Sequence, residues 1–135
     1  MSVTKIVISY VLTLLVFLAV DFFWLGFLAK GLYNKYLGNF LSSQVNWTAA
    51  IIFYCLFVVG VLIFVVYPAV GKDSLLTAVV LGALFGMFTY ATYDLTNLAT
   101  LKDWPVLIVI IDIAWGAFLS AVVSTAGFYI VRYFS

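Results

Sequence analysis

The chain has 135 residues, 67% of them hydrophobic and 8% charged, with a formal net charge of +1. That composition leaves no polar surface for a water-soluble globular domain, and the length holds four crossings of ~20 residues joined by short loops. The near-zero charge without a basic cluster excludes nucleic acid as a partner, and the lack of His with a single Cys (Cys55) excludes His-ligated haem, His-based zinc sites and a disulfide framework.

The first predicted helix covers 5–29. It starts at Lys5, continues past Asp21 into Phe22, Phe23, Trp24 and Leu25, and ends at Lys30-Gly31, a cation followed by a helix stop. A basic residue ahead of an apolar run also suits a signal peptide, but no A-x-A-like site closes a short h-region, so an uncleaved helix is expected. The next stretch, 32–46, carries Tyr33, Asn34, Lys35, Tyr36, Gly38, Asn39, Ser42, Ser43 and Gln44. It is too polar to span and too aromatic for a plain linker, which predicts an interfacial loop or short amphipathic helix at headgroup level.

The second helix is predicted over 47–67, stopped by Tyr67-Pro68, with Cys55 as a small apolar residue half-way along. Asn46-Trp47-Thr48 matches a glycosylation sequon, but at a membrane edge it reads as coincidence. A tight turn at Gly71-Lys72-Asp73-Ser74 makes helices two and three antiparallel neighbours. The third helix covers 74–98, and Asp103-Trp104-Pro105 opens the fourth, 105–132, where proline is tolerated in a first turn. The fold class is therefore all-α: a polytopic integral membrane protein with one four-helix domain over 1–135. Both termini share a side with Lys5, Lys72 and Arg132, while Lys30, Lys35 and Lys102 lie on the other. The positive-inside rule is balanced, and the free N-terminal amine tips the termini toward the cytoplasm.

Asp21, Asp94 and Asp112 interrupt the apolar runs. Asp21 lies nine residues before Lys30, Asp94 eight before Lys102, and Asp112 nine after Asp103, so each is about 12–14 Å below the loop face at 1.5 Å per residue. Ionisable groups at that depth are costly and avoid lipid, so three from three helices at one level point to one shared functional pocket. Trp24 and Trp115 each follow an aspartate by three residues, on the same helix face. The resulting D-x-x-W pairs sit on helices of opposite direction, as an inverted repeat would place them.

Helix three carries a stripe of Gly82, Gly86, Tyr90, Asp94 and Asn97, and helix four a ridge of Asp112, Gly116, Ser120 and Ser124. The glycines form a small-xxx-small face for close helix approach, either within the chain or in a homodimer. Asn46, Trp47, Ala50 and Tyr54 are the expected inward edge of helix two. Trp47 and Trp104, at predicted helix ends, read as interfacial anchors, and Lys30, Lys35 and Lys102 as headgroup contacts. Candidate ligand-binding or proton-exchange residues are thus Asp21, Asp94, Asp112, Asn97, Trp24, Trp115, Tyr90 and Tyr93; no spaced acidic metal motif is present, and no metal or cofactor is expected.

With no cation inside the spans, the three carboxyls would share protons rather than all ionise. Three functions fit such a pocket. It can bind or transport a small lipophilic or cationic molecule, with aromatic faces supplying cation–π contact. It can be an intramembrane enzyme acting on a lipid or isoprenoid by Asp acid/base chemistry. Or the carboxylates can fix helix register in a non-catalytic subunit. Membrane lipids are expected partners in each case.

The segments Asp21-Phe22-Phe23-Trp24-Leu25-Gly26, Lys30-Gly31-Leu32-Tyr33, Tyr93-Asp94-Leu95-Thr96-Asn97-Leu98-Ala99-Thr100-Leu101, Trp104-Pro105 and Asp112-Ile113-Ala114-Trp115-Gly116 carry a resemblance. Across nearly the whole chain it resembles the bacterial predicted-membrane-protein family catalogued as domain-of-unknown-function family 2177. The resemblance implies a small multi-pass protein of the bacterial inner membrane and implies no activity.

Overall fold

The computed structural model describes residues 1–41 and 44–135, so Ser42 and Ser43 of the expected interfacial segment lie outside the described residues. The described residues are all-helical: α1 (Val3–Leu28), α2 (Lys30–Leu37), α3 (Trp47–Gly71), α4 (Leu75–Thr100) and α5 (Val106–Phe134). All but α2 are long and apolar enough to cross a membrane.

Local chemistry sets the helix ends. Ser2, Asn46 and Ser74 are N-caps whose side chains accept from the amides of Lys5, Ala49 and Thr77 at 3.3, 3.1 and 3.1 Å. Ser9 and Thr13, polar residues within α1, return their hydroxyls to the carbonyls of Lys5 and Ser9, both at 2.8 Å, and so need no partner from another helix. Pro105 caps α5 in an extended conformation. In the α3–α4 turn Asp73 adopts a left-handed φ of 48°, a conformation open to Asp, and pairs with Arg132 at 3.2 Å. This exposed pair ties the end of α5 to the turn.

Two helix ends differ from the sequence expectation. Gly31 is not what stops α1: the helix ends at Leu28, next to the expected limit of 29, in a π turn, Trp24–Leu28, whose last bond runs from the Ala29 amide to the Trp24 carbonyl at 2.8 Å. Lys30 then opens α2, with Gly31 inside it. Nor does Tyr67-Pro68 stop the second span. A second π turn, Leu62–Val66, ends with the Tyr67 amide on the Leu62 carbonyl, and Pro68 falls in the first turn of the segment that continues to Gly71. A missing N–H is harmless there.

α5 is the hub, packed on α4, α1 and the second half of α3. Against α4 the approach is as close as backbone allows. A Cβ on Gly86 would collide with the Gly116 carbonyl, one on Gly82 with the Ser124 side chain, and one on Gly116 with the Tyr90 ring. The Gly82/Gly86 face is therefore used within the chain. Phe17 of α1, Phe57, Val58 and Val61 of α3, and Leu119 and Val123 of α5 fill the rest of the interior. Large apolar side chains such as Phe27, Phe64, Leu76 and Phe118 point outward, the surface expected of helices solvated by lipid.

α2 folds back onto the start of α5, where Leu37 packs with Trp104, Ile108 and Val109. Trp104 is consequently 6% exposed and is an interior residue, not the interfacial anchor expected, whereas Trp47 at 57% does face outward.

Candidate functional site

All five helices contribute to a cavity of about 670 Å³ whose wall includes Asp21, Asp94 and Asp112. Trp24, Trp115, Tyr90 and Tyr93 share that wall, so seven of the eight candidate residues come together. Asn97 is not on it. From α3, Ala50 and Tyr54 reach the cavity. The other two residues of the expected inward edge do not: Asn46 is occupied as the α3 cap and Trp47 faces away.

The three carboxyls have different surroundings. Asp21, 6% exposed, accepts from the Trp115 Nε1–H at 3.3 Å. Asp112 accepts from the Tyr33 hydroxyl at 2.8 Å, and Tyr33 in turn accepts from the Trp24 Nε1–H at 3.1 Å. The two indoles stack, with centroids 4.3 Å apart and planes 8° from parallel. Each D-x-x-W pair thus serves the carboxylate of the opposite helix: the α5 indole bonds Asp21 directly, and the α1 indole reaches Asp112 through Tyr33.

Asp94 has no such donor. It is 0% exposed and neither of its oxygens has a hydrogen-bond partner. The carboxyl of Asp112 lies near it on the same wall. Two ionised carboxylates offer only acceptors, so a bond joins them only when a proton lies between. The Trp104 indole N–H, on the same wall, is also unpartnered.

Residues outside the expected set complete the site. Tyr33 and Leu37, four apart on one face of α2, form part of its wall, and Lys30 is an exposed member of it. Burial first, and the charge of Asp112 second, push the Tyr33 hydroxyl above the ordinary tyrosine range, so it stays protonated as a donor. Among the described residues the Arg132–Asp73 contact is the one ion pair, so no cationic side chain neutralises the three aspartates. Nor, among those residues, do acidic, Cys or His groups cluster as a metal site. The α2 spacing was a usable signal; the link from Trp24 to Tyr33 was not, because it depends on the break at Ala29.

Four apolar spanning helices around an acidic and aromatic cavity define a multi-pass membrane protein. The chain belongs to the DUF2177 family of predicted membrane proteins, whose model matches residues 6–129 and so takes in all three aspartates. No curated protein and no solved structure matches it.

Proposed function

We propose that this protein binds, and carries across its membrane, a small lipophilic cation held in the acidic cavity. The observation that carries the reading is the convergence of carboxyls from α1, α4 and α5 on one aromatic-walled space without a paired cation. A charged carboxylate away from water is costly, and a bound cation offsets that cost. The volume suits a small molecule, whose pockets run about 300–1,000 Å³. The family resemblance supports placement in the bacterial inner membrane, and we infer cytoplasmic termini, which reporter fusions at each loop would test.

Binding is tested with the protein in lipid nanodiscs, titrated with fluorescent naphthylethylammonium and with naphthylethanol, a neutral analogue of similar size. The cation should bind saturably and at least about tenfold more tightly. Equal affinity for both, or undiminished cation binding in Asp112→Asn and Asp94→Asn, overturns the reading.

The adjacency of Asp94 and Asp112 favours a second reading, an intramembrane enzyme acting on a lipid or isoprenoid. Two carboxyls that share one proton supply an acid and a base side by side. Incubation with extracted membrane lipids, followed by mass spectrometry, should then show a product that Asp112→Asn abolishes.

A further inference from the structure

We infer that the cationic group of the ligand is a protonated amine that retains an N–H, seated on Asp94. This rests on the proposed binding function and narrows it, because charge complementarity alone would accept a quaternary ammonium equally well.

No donor on the wall is bonded to Asp94; the Trp104 N–H is itself without a partner. Trp115 serves Asp21, and Tyr33 serves Asp112. Asp94 is fully buried with both oxygens unpartnered, and its polar neighbour is another acceptor. A buried acceptor left without a donor carries its whole desolvation penalty, larger again when it is ionised. An occupant that brings an N–H to Asp94 removes that penalty, and a cation stripped of N–H groups cannot.

The aromatic residues point the same way. Quaternary ammonium groups are held in cages of open aromatic faces. Here the two indoles lie flat against each other, so each has one face closed by its partner. Their N–H groups are committed as well. What remains for a ligand is a donor-seeking carboxyl beside an apolar wall that includes Phe53 and Tyr54, the complement of an amine on an aromatic or short alkyl body.

The test is a methylation series: naphthylethylammonium and its N-methyl, N,N-dimethyl and N,N,N-trimethyl derivatives, titrated against the wild-type protein in nanodiscs. The first three cations keep at least one N–H and the last has none. Affinity should change little over the first three and fall at least about tenfold at the last step. A gradual decline that follows methyl count, or four equal affinities, overturns the inference while leaving cation binding intact. If no member of the series binds, the proposed function itself has failed. In Asp94→Asn the step should shrink to below about threefold, and in Asp21→Asn it should persist. A full step in Asp94→Asn overturns the assignment to Asp94. The wild-type series decides the chemical class even if a variant does not fold.

Discussion

Trp24 and Trp115 lie face to face, 4.3 Å apart, with Trp115 donating directly to Asp21 and Trp24 donating to Tyr33, which in turn donates to Asp112. The crossing couples α1 to α5 by one stacked pair and two polar links. Trp115→Phe keeps a ring for the stack but removes the donor to buried Asp21, and should lower stability by about 1–3 kcal/mol. Trp24→Phe removes a donor to a neutral hydroxyl and should cost about 0.5–1.5 kcal/mol. Reversible unfolding in mixed micelles measures both; a larger loss for Trp24→Phe would contradict the arrangement.

The α4–α5 seam predicts a sharp contrast between glycines. Gly86→Ala drives a Cβ into the Gly116 carbonyl, a backbone atom that cannot swing aside, and should destabilise by about 1–3 kcal/mol or more. Nothing lies within 4 Å of a Cβ on Gly26, so Gly26→Ala should be neutral or slightly stabilising. The same unfolding assay compares them, and equal effects would show that the seam is looser than described.

Tyr33 gives a pH signature. Its folded hydroxyl holds its proton to higher pH than an unfolded tyrosine does, through burial and then the charge of Asp112. Its contribution to stability is therefore complete below the unfolded value of about 10 and is lost as pH rises beyond it. Tyr33→Phe should be less stable than wild type at neutral pH, because Asp112 loses its donor. It should also lose less stability than wild type on going above about pH 10. Parallel stability–pH curves for the two proteins would refute this account of Tyr33.

Asp94 and Asp21 should respond oppositely to the same isosteric change. Asp94→Asn removes a carboxyl that no donor supports and should raise stability by about 1 kcal/mol, the gain seen when an unsatisfied functional group is replaced. Asp21→Asn disturbs a bond to Trp115 and should lower it. Thermal unfolding of both variants decides the matter. Destabilisation by Asp94→Asn equal to that of Asp21→Asn would assign both carboxyls to helix register, the role of a non-catalytic subunit.

The reach of sequence reasoning here follows from which signals are local. Asp21 and Asp112 stand out because their chain neighbours are apolar and Asp94 because it is the one charged residue within 75–100, and the Gly82/Gly86 and Gly116/Ser120 ridges show in their four-residue spacing. Trp104 was misread because an indole beside a proline at a helix start looks the same whether it anchors at headgroups or plugs an interior; packing of Leu37 from α2 separates the two. Asn97 shares a face with Asp94, but a helix face specifies direction and leaves height along the axis open, so it lies off the cavity wall. Pro68 reads as a stop in the sequence because a π turn leaves no mark in hydropathy.

The wide turn at Trp24–Leu28 accommodates one more residue than an α-helical path of the same rise, and it begins at the indole that stacks on Trp115. π-bulges arise as single-residue insertions and tend to sit where a protein does its work. Removing one residue from this turn would let the helix relax into ordinary winding with both sides kept near their present angular phase, because the extra residue is what the wide turn absorbs. Asp21 and Tyr33, on opposite sides of it, should then still both face α5. The alignment of the acidic cluster is thus buffered against loss of one residue at this point, whereas an added residue, with no unused wide turn to absorb it, should turn one side by about 100° against the other.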